Sequence, residues 1–320
     1  MAQHFLLSTA ARTLSLKAVM ALSEDEARAT FTAIRWSDNG GQPYCPKCGC
    51  VSLYTYRARK IWKCKGCTHQ FSATSGTIFA SHKLPIRDYL LAIALFVNGA
   101  KGMSALQLSR DLSVQYKTAF VLAHKLREAV AALRSERKLS GEVEVDGAYF
   151  GGYVKPRNHK ENRRDRRRTE HQTGKRRVVV VMRERNGKSL PFVFNSEAQS
   201  VPTIREHVEG GTTVFADEAS SWDALTARYE MRRINHRKSY RTPEANTNQA
   251  ESFFSRLRRA EIGTHHKIAG PYLAAYAREM SWREDYRRVS NGEQYRMVAT
   301  AALKHPASDN WTGYWQRSFK

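Results

Sequence analysis

The sequence has no apolar run long enough to cross a bilayer. Its longest, "YLLAIALFV" from Tyr89 to Val97, falls far short of the roughly 20 residues that a spanning helix needs. Helical membrane insertion is therefore excluded. The opening "MAQHFLLSTAARTLSLKAVMALSEDEA" breaks its apolar stretches with Arg12 and Lys17 and lacks a compact charged leader, so the expected compartment is the cytoplasm. Acid is scarce: 30 Asp plus Glu face 53 Lys plus Arg, leaving a formal charge of +23. That excess is far above what solubility needs and points to a polyanionic partner, with nucleic acid leading. Cysteine is scarce as well. Five are present, four of them in two C-x-x-C pairs, a usage better explained by metal in a reducing compartment than by disulfides. No internal repeat is apparent.

What is present divides the chain by character. Ser23 with Glu26 has the form of a capping box opening the helix "EDEARATFTAIRW", whose Phe31, Ile34 and Trp36 are placed to pack on the neighbouring module. After the turn-rich "SDNGGQP" comes that small module, and Cys45-x-x-Cys48 and Cys64-x-x-Cys67 stand 15 residues apart within it. This is zinc-ribbon spacing, two knuckles offering four sulfurs to one tetrahedral ion. A module this small has no core of its own, so the ion supplies much of its folding free energy. Cys50 is left over as a spare thiol or an exchange partner, and His69 is an outside candidate for the same site.

Next, "IRDYLLAIALFVNG" and "SALQLSRDLSVQYKTAFVLAHKLREAVAAL" predict helices, the second broken near "DLSVQ" into a helix-turn-helix candidate. At Ser140-Gly141 the pattern turns to strands: "EVEVDGAYFGG", "RRVVVVMRERNGK", "SLPFVFN" and "TTVFADEAS", with helical patterns at "SVPTIREHVEG" and "SWDALTARY". The expected architecture is a mixed sheet covered by helices. Between the first two strands, residues 153–177 hold 11 Lys or Arg and three acids without any hydrophobic period. Such a run is either a solvated loop or a DNA contact, and the surplus charge favours the contact.

Asp146 is expected to end the first strand and Asp217 the fourth. Either alone can cap a turn. Together with Glu251, on a helix 34 positions after Asp217, they are three carboxylates that two strands and a helix can bring together. Phosphodiester chemistry gives a reason for that, because two Mg²⁺ ions about 3.5 to 4 Å apart activate an attacking oxygen and stabilise a leaving one. Asn248-x-x-Glu251 also has the form of a helix cap. Both readings stand together if Asn248 caps the turn from which Glu251 projects. His265 and His266 read as a surface loop pair or a phosphate contact, and Trp222 as core packing before base stacking. Glu279, Trp282 and Arg283 read as scaffold.

"EDEARATFTAIRW", "CPKCG", "CKGCTHQFSATSGTIF", "KLPIRDYLLAIALF", "VDGAYFGG", "FADEA" and "TNQAESFFSRLRR" occur in that order. The set resembles bacterial insertion-sequence transposases with an N-terminal zinc ribbon and a DDE catalytic domain of the RNase H-like fold, over roughly residues 20 to 290. The resemblance implies an α/β protein: an N-terminal helical segment (1–40), zinc ribbon (41–76), helical DNA-binding region (77–139), RNase H-like domain (140–290) and C-terminal tail (291–320). It implies a recombinase that nicks element ends and transfers the freed 3′-OH to target DNA. Asp146, Asp217 and Glu251 would hold Mg²⁺ or Mn²⁺, Asn248 would support Glu251 or bind water, or stand as the third ligand itself as asparagine does in some relatives, and Cys45, Cys48, Cys64 and Cys67 would hold structural Zn²⁺. Its partners would be double-stranded DNA, at element ends and target, and further copies of itself on that DNA.

Two positions depart from the relatives. Gly147 stands where they commonly carry glutamate, and Arg258 where they tend to carry lysine; arginine keeps its proton and presents a planar fork, so Arg258 would steer a phosphate. A DNA-binding regulator with an inert catalytic domain and a structure-selective nuclease are the alternatives.

Overall fold

The protein is described from a computed structural model covering residues 5–134, 137–151, 161, 174–234 and 246–316. The basic run expected at residues 153–177 lies almost wholly outside the described residues. Two compact units divide the chain, residues 1–134 with 286–320 and residues 135–285.

The first unit begins with helices α1 (Leu16–Met20) and α2 (Glu24–Arg35). The capping box forms as expected: Ser23 Oγ accepts from the Glu26 amide at 3.3 Å while Glu26 Oε2 accepts from the Ser23 amide at 2.8 Å. Strands β1 (Leu53–Tyr56), β2 (Ile61–Cys64) and β3 (Gln70–Phe71) make an antiparallel three-stranded sheet. Trp36 and Phe71 are buried against Cys45 and Cys64, so this sheet's core consists of aromatic rings on thiols. Helices α3 (Ile86–Asn98), α4 (Ala105–Asp111) and α5 (Tyr116–Ala131) come next, and α4 and α5 meet across a turn that Ser113 enters with a positive φ of 51°. The break falls at "LSVQ", as the sequence predicts: α4 starts at the Ser104 cap, closes on a C-cap at Leu112, and the left-handed φ of Ser113 prevents it from running on into α5.

The second unit is a five-stranded mixed sheet: β4 (Glu142–Phe150), β5 (Arg177–Glu184), β6 (Ser189–Phe194), β7 (Thr213–Asp217) and β8 (Glu230–Ile234), in the order β6-β5-β4-β7-β8. β4, β5 and β6 pair antiparallel, while β4–β7 and β7–β8 pair parallel. This is the RNase H-like arrangement. Both faces are covered, which explains the unbroken valines of β5: Val178, Val180 and Met182 pack on one side with Ile204 of α6 (Val201–His207), Val179 and Val181 on the other. That second face is closed by α7 (Asn248–Ala260) through Phe253, Phe254 and Leu257, and by α8 (Leu273–Asp285) through Leu273, Ala277 and Met280.

Three expectations are corrected here. "SWDALTARY" is a short 3-10 turn, Ser220–Leu225, and the chain then enters β8, a strand that the sequence conceals because "EMRRI" at a sheet edge carries charge where a core strand would not. Asp146 does not end its strand, since β4 runs on to Phe150. The C-terminal segment is more than a tail: α9 (Asn291–Lys304) buries Tyr295, Val298, Ala299, Ala302 and Leu303 within the first unit.

Candidate active site and zinc ribbon

The two aspartates meet because of strand register. Parallel pairing of β4 with β7 runs from Glu142↔Thr213 to Glu144↔Phe215 and stops. Two residues further along each strand, on the same face, stand Asp146 and Asp217. β5 still holds Asp146, opposite Val181, and β8 holds Asp217, opposite Ile234. Both carboxylates therefore sit on paired backbone at the point where their own two strands separate. The pairing of β4 with β7, rather than the end of β4, makes the opening.

Burial pushes the Asp146 carboxyl up to about 7; the Gly147 amide, donating to Asp146 Oδ1 at 2.7 Å, pulls it back, and the charges of Asp217, Glu251 and Glu197 push it further up. The charge of Glu251 is thus felt at Asp146, and so is that of Glu197, a residue that the sequence did not single out. The four carboxyl groups form a looser set than the thiols of the ribbon: among the described residues, only the cysteines pack their ligand atoms all within 4.8 Å of one another. Hard oxygen donors of this kind suit Mg²⁺ or Mn²⁺.

Asp217 is held by its own loop. The Trp222 indole N–H donates to Asp217 Oδ1 at 2.7 Å, and the Ala219 amide donates to the same oxygen at 3.2 Å. Trp222 is fully buried among Val214, Ala216 and Leu225, so one side chain both packs the core and aims the carboxylate.

The cap expected of Asn248 is made by another residue. Thr247 is the N-cap position of α7, its side chain makes no cap hydrogen bond, and Asn248 lies exposed at the first helical position. Glu144, fully buried on β4, instead accepts from the amides of Gln249 at 2.8 Å and Ala250 at 2.9 Å. Its other oxygen accepts from Arg185 Nε at 3.0 Å, and Arg185 Nη2 donates to the Asn246 carbonyl at 3.0 Å. A carboxylate on the orphan amides of a helix N-terminus also meets the positive end of the helix dipole. Glu144 and Asp146 lie two apart on one strand face, so a single strand fixes both the first aspartate and the helix that carries Glu251. Sequence reasoning missed Glu144. The signal was the alternation of "EVEVD", which puts acid on a face that must be buried.

Arg258 does not join the carboxylates. It is exposed, with Cζ 5.8 Å from the centre of the Phe150 ring, four residues along β4 from Asp146. His265 packs edge-on against Tyr276 at 4.6 Å, and His266 turns the chain with φ of 57°. Glu279 and Arg283 form a buried pair at 2.9 Å inside α8, in keeping with a scaffold role.

In the ribbon, the Sγ atoms of Cys45 and Cys67 lie 3.5 Å apart and those of Cys48 and Cys64 3.6 Å apart. Four sulfurs at about 2.3 Å from one zinc ion would stand roughly 3.8 Å from each other, so the cluster fits with little adjustment. The amides of Cys67 and Gly66 donate to Cys64 Sγ at 3.4 and 3.3 Å and draw that thiol down to about 6, readying it as a thiolate. Cys50 turns instead to the Ser52 carbonyl, and His69 stacks on Phe71; neither belongs to the cluster.

Comparison with known proteins agrees with both halves. An ISXO2-like transposase domain matches residues 138–285, and a transposase zinc-ribbon domain matches residues 22–70. An uncharacterized protein in transposable element ISH50 of Halobacterium salinarum is 25% identical over 296 residues, covering 88% of this chain and 98% of that one. Among solved structures, the Mos1 strand transfer complex aligns with 69% of this chain and 80% of its own at 14% identity and a TM-score of 0.25. The chain belongs to the insertion-sequence transposases that place a zinc ribbon ahead of a DDE domain.

Proposed function

We propose that this transposase nicks DNA at the ends of its element and joins the freed 3′-OH to target DNA, using Asp146, Asp217 and Glu251 to hold Mg²⁺ or Mn²⁺. The observation that carries this reading is the register that sets Asp146 beside Asp217 where β4 and β7 part, with Glu251 close enough to raise the Asp146 pKa. Bound there, divalent cations would supply Lewis-acid activation of the attacking oxygen and stabilisation of the leaving one. The chain's own part is to keep three anionic oxygens facing one cleft. Asp146 is ionised once its proton is displaced, Trp222 and Ala219 fix Asp217, and Glu144 fixes the helix that bears Glu251.

Asn248 at the first turn of α7 is exposed on the helix end nearest Glu251 and is assigned a supporting contact to water or phosphate. Arg258 is assigned to the DNA backbone alongside the cleft. The net charge of +23 supports double-stranded DNA as the partner. Structural Zn²⁺ on Cys45, Cys48, Cys64 and Cys67 keeps the ribbon folded. Cleavage and joining on two ends further call for a homo-oligomer on DNA, acting in the cytoplasm at the nucleoid. Among the described residues no helix is long and apolar enough to cross a membrane.

The test is nicking and strand transfer on a duplex carrying the element end, with Mg²⁺ or Mn²⁺. Wild type should cut and join, whereas Asp146→Asn should bind the same duplex with unchanged affinity and leave it intact. Binding without cutting by wild type across metals and end sequences would favour a regulator. Hydrolysed ends that never join a target would favour a plain nuclease.

A further inference from the structure

Gly147 comes directly after the first aspartate, and its backbone does not require glycine, since its φ is not positive. The reason for glycine lies in what stands over it. A Cβ at position 147 would come within 2.8 Å of Glu197 Oε1, 2.9 Å of Glu197 Cγ and 3.1 Å of Glu197 Cδ. As it stands, the Glu197 carboxyl group occupies the space that a Cβ at position 147 would take, and a side chain there would push Glu197 aside.

Glu197 opens the 3-10 turn Glu197–Ser200, directly after β6, and the Ser221 hydroxyl donates to its Oε2 at 3.3 Å. Ser221 belongs to the turn after Asp217. The Glu197 carboxylate is therefore seated between the residue after Asp146 and the loop after Asp217. Side chains alternate along β4, so position 147 faces away from the side on which Asp146 and α7 lie. Glu197 thus approaches the strand ends from the layer opposite Glu251. It is a half-buried acid held by the Ser221 hydroxyl, and burial together with the charge of Asp217 raises its pKa. An oxygen-ligated cation would satisfy that carboxylate and the aspartates at once.

We infer that Glu197 is a fourth carboxylate ligand of the divalent-metal centre, and that the absent side chain at Gly147 leaves it room. The inference rests on the proposed metal-dependent reading of Asp146, Asp217 and Glu251. It extends that reading by a residue from β6's far end, which completes the cation's oxygen shell from the second layer of the domain.

Mn²⁺ binding to the full-length, zinc-loaded protein, followed by the electron paramagnetic resonance signal of free Mn²⁺, provides a readout independent of cleavage. Glu197→Gln should weaken Mn²⁺ binding about tenfold or more, the scale on which lost ligand support acts, while thermal unfolding and duplex affinity stay at wild-type values. Gly147→Ala should weaken it similarly by displacing Glu197, and Glu197→Asp should recover part of the loss. Asp146→Asn separates the two ideas. Loss of Mn²⁺ binding in Asp146→Asn, with wild-type affinity in both Glu197→Gln and Gly147→Ala, overturns the role of Glu197 and leaves the metal centre standing. Wild type and Asp146→Asn binding Mn²⁺ equally, or neither binding it, overturns both. If Glu197→Gln fails to fold, Gly147→Ala decides alone.

Discussion

At the scale of single residues, the cleft is a balance of charge and support. Asp146 illustrates the charge. Its pKa is raised in the folded protein, so between the unfolded carboxylate range near 4 and its folded value of about 7 the native state binds more protons than the unfolded one, and metal-free stability falls as pH rises through that window. Asp146→Asn removes this penalty. Metal-free Asp146→Asn should therefore be more stable than wild type by on the order of 1–3 kcal/mol at pH 7.5, with the gain vanishing below about pH 4, as denaturant unfolding at several pH values would reveal. A wild type equally stable across that range would speak against a buried Asp146 carboxyl.

Trp222 illustrates the support. Its ring fills the core and its N–H holds Asp217. Trp222→Phe keeps most of the ring and deletes the donor. A hydrogen bond to a charged group is worth roughly 1.5–3 kcal/mol, and an aspartate set free to rotate should reduce single-turnover nicking by about tenfold or more. The measured split should be informative: nicking falls while duplex affinity holds.

At the scale of elements, the helix that carries Glu251 is anchored from outside itself. α7 has no side-chain cap of its own and borrows the buried Glu144 carboxylate from β4, with Arg185 closing the network against the Asn246 carbonyl. Removing one member of a buried ion pair leaves the other uncompensated and costs about 3–5 kcal/mol. Glu144→Ala should accordingly lose stability on that scale. Glu144→Gln keeps one acceptor oxygen and should lose less, yet still raise amide exchange at Gln249 and Ala250 in hydrogen-exchange mass spectrometry. Unchanged protection at the start of α7 in Glu144→Gln would mean the helix is anchored otherwise.

At the scale of the whole molecule, two units carry different kinds of stability. The second has a sheet buried on both faces. The ribbon rests on a few rings against four thiols, with Trp36 and Trp62 5.5 Å apart. Chelation of zinc, or Cys64→Ser, should unfold the ribbon and shift the fluorescence of those tryptophans while leaving the thermal transition of the DDE unit within a few degrees. Duplex binding should be steep in salt: about eight neutralised phosphates would cost three to five decades of affinity between 50 and 200 mM salt, read from titrations at several concentrations.

Much of this was legible in the sequence, because its physical causes are local. Cysteine spacing announces a tetrahedral site, Ser23 and Glu26 announce a helix start, and the valine run of β5 announces a strand buried on both sides. The acids at 146, 217 and 251 could be named from their places in strand and helix patterns. Only tertiary structure decided how they are held. The register of β4 against β7 sets where the aspartates part, Glu144 caps a helix more than a hundred residues away, and the missing Cβ of Gly147 makes room for Glu197. A residue's chemistry is written at its own position, but its partners come from segments joined only by folding, and no local pattern records which ones they are.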